Sequence, residues 1–167
     1  GWDSSSKLSG CAAIASNYKF DKEGKVFASG IPLHGAIWKG EKAYVARLDS
    51  TQPGGSGSCR LGDESTYVYT SNPADIAATY AYGRFQNGIK VFGIGVSGDA
   101  IDWPAVNDWA NDCETNEWEC HGTIWEGGQG AGMEQRVANL DDLCSAGGAR
   151  WITAGALLSF DWHRPRV

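Results

Sequence analysis

Thr66-Tyr-Val-Tyr-Thr70-Ser71-Asn72-Pro73-Ala74-Asp75-Ile76-Ala77-Ala78-Thr79-Tyr80 is the stretch that decides the fold. Its first five residues are β-branched or aromatic and predict a strand over 66–70. The character then changes within three residues. Asn72 is a strong N-cap, Pro73 suits the first helical position, and Asp75 falls in a first turn where a carboxylate meets the positive end of the helix dipole. Ile76, Thr79, Tyr80 and Gly83 recur at helical spacing, so a helix is expected from Asn72 to near Gln86. Asn87-Gly88 signals a turn, and Lys90–Val96, rich in Val, Phe, Ile and Gly, predicts a buried strand against which Ile76 and Tyr80 pack.

Working outward, the elements stay short. Residues 3–17, with an apolar centre over Leu8–Ile14, predict one helix, and Phe20–Gly40 reads as turns with Val26, Phe27 and Ile31 inward. Lys42–Asp49 predicts a strand through Tyr44, Val45 and Leu48, followed by a Gly/Ser loop over 52–62. Pro104–Asn111 predicts a short helix with Trp109 inward, Gly122–Gly132 a glycine-rich loop around Trp125, and Val137–Leu140 and Trp151–Phe160 two closing strands. The sum is an α+β chain with more strand than helix, helices early and strands late. No repeat or long linker divides it, so residues 1–167 are expected to form one domain.

Composition sets limits on function. With 14 basic and 20 acidic residues the formal charge is −6, a poor balance for binding nucleic acid. The 42% apolar content and 8 tryptophans supply a core, whereas 23 glycines and 5 prolines favour turns. No apolar run approaches the ~20 residues of a membrane-spanning helix. Five cysteines (Cys11, Cys59, Cys113, Cys120 and Cys144) contain no Cys-x-x-Cys. They read as scattered buried thiols or as two disulfides with one spare thiol. The secreted-style composition favours the second, with Cys113 and Cys120, flanking Glu114–Glu119, as the easiest local pair and the odd cysteine available to a partner chain. A start at Gly1, with no initiator Met or signal peptide, fits a mature processed protein or an expressed fragment, and the composition favours a secreted one.

Most motifs fail in context. Gly93-Ile-Gly95-Val-Ser-Gly98 has the spelling of a dinucleotide loop but lies inside the expected strand, where glycines relieve crowding. His34, His121 and His163 are isolated, so no metal is expected. The tryptophans leave open a secreted carbohydrate- or protein-binding module, although core packing accounts for most of them.

One ordered set of motifs goes further. Tyr67-Val-Tyr-Thr70-Ser71, the helix with Ala77-Ala78-Thr79-Tyr80, the strand over 91–96, Ala105-Val-Asn-Asp108, Glu134-Gln135-Arg136-Val137, and Ala146-Gly-Gly-Ala149 before Trp151–Phe160 together resemble the ADP-ribosyltransferase toxin fold over residues 66–160. The likeness is to A chains of the heat-labile enterotoxin, cholera and pertussis type. It implies a split β-sandwich with short helices and NAD as the possible substrate. It also implies that Arg47, Thr70 and Ser71 contact NAD, and that the Glu134–Arg136 segment is the catalytic pair. Arg47-Leu-Asp49-Ser50 resembles the family's Arg-x-Asp-Ser. If Gly1–Ser4 is the first strand instead, Ala28–Gly35 resembles the next loop and no arginine stands there.

The chemistry behind such motifs is electrostatic. Cleavage at the nicotinamide ribose builds positive charge, which a carboxylate stabilises. Arg136 stands where the second acid of Glu-x-Glu is expected, and a cation there opposes the growing charge. Losing one such group costs about 3–4 kcal/mol. The resemblance therefore implies a secreted toxin- or effector-like protein with a weak or inactive NAD site and a host or target protein as partner. The alternative is an active NAD-dependent mono-ADP-ribosyltransferase using Glu134.

Overall fold

Asn72 opens the first helix in the way its sequence requires: its side chain accepts from the Ala74 amide, and Pro73 follows in the first turn. This helix, α1 (Pro73–Tyr82), lies in a computed structural model that describes residues 39–126 and 132–163. From Glu41 on, these residues belong to one compact unit. The expectations for residues 3–17, Val26, Phe27, Ile31, Cys11, His34 and the alternative first strand fall outside the described residues.

α1 stops at Tyr82, short of the expected Gln86, because Gly83 takes a φ of 97° and turns the chain out of the helix. A hairpin follows, β1 (Arg84–Gln86) and β2 (Ile89–Phe92), paired antiparallel. Asn87 and Gly88 both have positive φ (52° and 76°), the geometry of a primed two-residue turn. β2 is shorter than the strand expected over 90–96, and it is not buried: Ile89 and Val91 are exposed. After it the backbone runs against the C-terminal end of α1, where the Ile94 and Gly95 amides donate to the Tyr80 and Ala81 carbonyls at 3.0 and 3.1 Å. A Cβ at Gly93 would run into the Tyr80 carbonyl, so the Gly93/Gly95 pair permits a close backbone approach.

α2 (Trp103–Thr115) is capped by Asp102, whose side chain accepts from the Ala105 amide, and it extends the helix expected over 104–111 at both ends. α3 (Met133–Ala146) overturns the strand expected over 137–140. The physical reason lies in the spacing: Leu140, Leu143 and Cys144 are buried at intervals of three and four, one face of a helix. The chain ends in a second antiparallel hairpin, β3 (Ala149–Ala154) and β4 (Leu157–Trp162), turning at Gly155 with φ 64°. This hairpin fits the expected Trp151–Phe160 closing segment, as two strands.

The result is an α+β arrangement of three helices and two separate two-stranded sheets among the described residues. Helix exceeds strand and two of the helices lie late, contrary to expectation. The two early strands reduce to isolated bridges, Ala43 with Val68 and Asp49 with Ser58. Tyr44, Val45 and Tyr67 are buried, but the chain around them coils into short 3-10 turns at Ala46–Leu48 and Glu64–Thr66 instead of continuing a ladder.

The core forms where α1 packs between α2 and α3. Ala74, Ala77, Ala78 and Ala81 have almost no exposure, and their small side chains let the neighbouring helices approach closely. Trp109 is fully buried and stacks on Phe160 with centroids 5.2 Å apart, and its Nε1 donates to the Gly147 carbonyl at 2.9 Å. Tyr80 is buried and meets Phe92 edge-on, while Ile76 is half-buried, so both side chains face inward as expected.

The expected Cys113–Cys120 disulfide is absent. Cys59, Cys113, Cys120 and Cys144 are all free thiols. Cys113 turns into the core and is fully buried. Cys120 lies on the extended segment beyond α2, its own amide donating to the Ser71 carbonyl at 2.7 Å.

Candidate functional site

Two polar clusters border α1, and the residues singled out from sequence divide between them. The first gathers at its N-terminal turn. Asp75 is 1% exposed, and its Oδ2 receives Arg47 Nη2 at 3.1 Å. Arg47 comes from the Ala46–Leu48 turn, and its Nη1 reaches Glu114 Oε1 at 2.8 Å and Asn111 Oδ1 at 3.2 Å, both on α2. Glu114 is largely exposed, while Asp75 Oδ1 and Arg47 Nε are buried without hydrogen-bond partners. Burial pushes the Asp75 carboxyl up to about 6, with the Arg47 charge and the nearby Thr70 hydroxyl pulling the other way. Burial opposes the charge on Arg47 as well, but Asp75 and Glu114 outweigh it and hold the guanidinium protonated.

Thr70 and Ser71 line the approach to this turn. Thr70 Oγ1 accepts from the Asn72 amide at 3.0 Å, and Ser71 Oγ donates to Glu119 Oε1 at 3.0 Å. Glu119 also faces His121 Nε2 at 3.1 Å, and these two contacts, His121 first, hold its carboxyl below the usual range.

The second cluster lies toward the other end of the helix, at Tyr80, about 7.5 Å further along the axis. Glu126 accepts from the Gly93 amide at 2.6 Å and faces Arg136 Nε at 3.4 Å. Asn139 on α3 donates to Tyr80 Oη and to the Trp125 carbonyl, both at 3.1 Å. Lys90 Nζ donates to the Gly93 and Ile94 carbonyls at 3.0 and 2.9 Å, and burial followed by the neighbouring Arg136 charge lowers its pKa. Burial likewise pushes Tyr80 up to about 12. Glu134 sits in the first turn of α3 and is exposed.

Sequence grouped Arg47, Thr70, Ser71, Glu134 and Arg136 as one site. The structure brings Arg47 onto Asp75, leaves Thr70 and Ser71 on the segment that leads into α1, and carries Arg136 to Glu126. Glu134 and Arg136 project from a helix, not from the head of a strand. The Arg-x-Asp-Ser motif also divides. Arg47 turns to α1, whereas buried Asp49 turns to Tyr44 Oη (2.7 Å), Thr51 (2.8 Å to the amide, 2.6 Å to the hydroxyl) and Arg60 (3.0 Å). Burial alone would raise the Asp49 carboxyl, but the Thr51 bonds, Tyr44 and Arg60 prevail and lower it. Asp49 thus staples its own loop.

Asp75 and Glu126 went unrecognised as partners. Only the place of Asp75 in a helix first turn hinted at a role, and Glu126 carried no local signal.

Chemically, the first cluster is an ion triad whose guanidinium is engaged at both terminal nitrogens. It offers no second fork for a phosphate unless the Asp75 contact breaks. The second cluster sets two cations, Lys90 and Arg136, about one carboxylate. Among the described residues no group of three or more His, Cys, Asp and Glu side chains is placed to hold a metal ion, and no helix is long and apolar enough to cross a membrane. Comparison with protein-family models, curated proteins and solved structures finds no match to this chain.

Proposed function

We propose that this chain is an effector-like, secreted protein related to the ADP-ribosyltransferase toxins, whose NAD-site residues serve as structural ion pairs and which acts by binding a target protein. In this reading the hairpins β1–β2 and β3–β4 stand for the two sheets of a split sandwich, each reduced to two strands. The helix over 133–146 is then the main departure from the family plan, because it removes the strand that would present a catalytic carboxylate.

The observation that carries the reading is the state of Arg47. Asp75 and Glu114 hold it at 3.1 and 2.8 Å, and the first of these carboxylates is buried. An incoming pyrophosphate must displace a buried partner before it can bind, and it meets a cluster already bearing two acids. Arg136 supports the same conclusion, because it is engaged by Glu126 and projects from a helix, where no strand presents a carboxylate to a ribose. Titration calorimetry with NAD tests the reading. The expected result is no saturable heat at millimolar NAD, whereas a micromolar dissociation constant lost in Arg47→Ala contradicts it.

A further inference from the structure

The Arg47 cluster has an internal asymmetry. It faces inward from three elements: Arg47 from the Ala46–Leu48 turn, Glu114, Asn111 and the Cys113 thiol from α2, and Thr70 from the segment before α1. Two carboxylates share one guanidinium, so the fully ionised cluster carries one excess negative charge. Glu114 is 63% exposed and its charge is solvated. Asp75 is sealed in, with Oδ2 on Arg47 and Oδ1 on no hydrogen-bond donor. A buried oxygen without a donor is where a proton relieves most free energy.

We infer that Asp75 is a proton-uptake centre, and that its neutralisation at mildly acidic pH loosens Arg47 from α1 and leaves it on Glu114 and Asn111 with the fold intact. The proton binds at Oδ1, and the ion pair at Oδ2 becomes a hydrogen bond to a neutral acid. The turn keeps a tether that does not depend on that charge, for Tyr44 stays bonded to Thr79 Oγ1 through its amide (2.9 Å) and its carbonyl (3.2 Å). The burial-driven rise of the Asp75 carboxyl, to about 6, agrees with this geometry and sets the pH at which the change occurs. Because the folded carboxyl binds its proton more tightly than the unfolded one, the contribution of Asp75 to stability is full below its ordinary value and is lost as pH rises through about 6.

Carbon-detected NMR of the Asp75 carboxyl and of the Arg47 Nε–H group, followed from pH 7.5 to 4.5, tests the inference. Both signals are expected to move with one shared midpoint near 6. In Asp75→Asn the Arg47 signal should match the wild-type acidic form at every pH. An Asp75 carboxyl titrating near its ordinary value of about 4, or an Arg47 signal indifferent to the Asp75 transition, overturns the proposal. The comparison of midpoints in the wild-type protein decides the matter even where the variant does not fold.

Discussion

Arg47 shows how far a single side chain reaches beyond its motif. Read locally, Arg47-Leu-Asp49-Ser50 points to a ligand-binding arginine. In three dimensions its partners are Asp75 and Glu114, distant in sequence, and neither pairing follows from local pattern. What was legible was only that an acid sits in the first turn of α1. Whether that acid faces solvent or a half-buried guanidinium depends on where the 46–48 turn docks. The pairing has an energetic consequence. Arg47→Ala leaves Asp75 buried without a counter-ion, a change expected to destabilise the fold by roughly 3 kcal/mol at pH 7.5. The loss should shrink at pH 5, because a protonated Asp75 no longer needs the cation. Urea unfolding at the two pH values checks this, and an equal loss at both would show that Asp75 stays ionised.

At the scale of elements, the signals that succeeded were stereochemical and local. Asn72-Pro73 marked the start of α1, Asn87-Gly88 marked a turn, and Trp109 marked the inward face of α2. Those that failed relied on residue type without a partner. Tyr44, Val45 and Tyr67 are good strand formers, yet here they pack as buried irregular chain, because the two segments meet in the single bridge Ala43–Val68 and no ladder grows from it. The strand expected over Val137–Leu140 rests on its short apolar run, although Leu140, Leu143 and Cys144 carry a helical period. The Asn72 cap joins two elements, since its Nδ2 also donates to the Ala110 carbonyl of α2 at 2.9 Å. Asn72→Ala is therefore expected to cost about 1–2 kcal/mol, at the upper end for a cap, while Asn72→Asp, which keeps the cap but loses that donor, should fall between. Thermal unfolding of the two variants separates the contributions.

For the whole molecule, an α+β class was legible, because helix and strand signals alternate along the chain and both occur. The balance between them was not, since α3 replaced a strand and the early strands dissolved into turns. The thiols report on the assembled core. Cys113 and Cys144 are fully buried, and burial pushes their thiols up to about 11 and 12, while Cys120 is only half-buried. Among these, a thiol reagent at neutral pH should label Cys120 first and reach Cys113 and Cys144 only on unfolding; mass-mapped labelling with equal rates at all three would contradict the packing. The central claim is that the candidate NAD residues are bound up in structure and do not form a transferase site. Its most direct test is NAD hydrolysis by the purified protein beside Glu134→Gln and Arg136→Glu. The expected result is turnover orders of magnitude below ~1 s⁻¹ in all three, with no gain from a carboxylate at 136, because that position lies on α3 against Glu126. Turnover of about 1 s⁻¹ or more that is abolished in Glu134→Gln would contradict the claim and make Glu134 the catalytic acid.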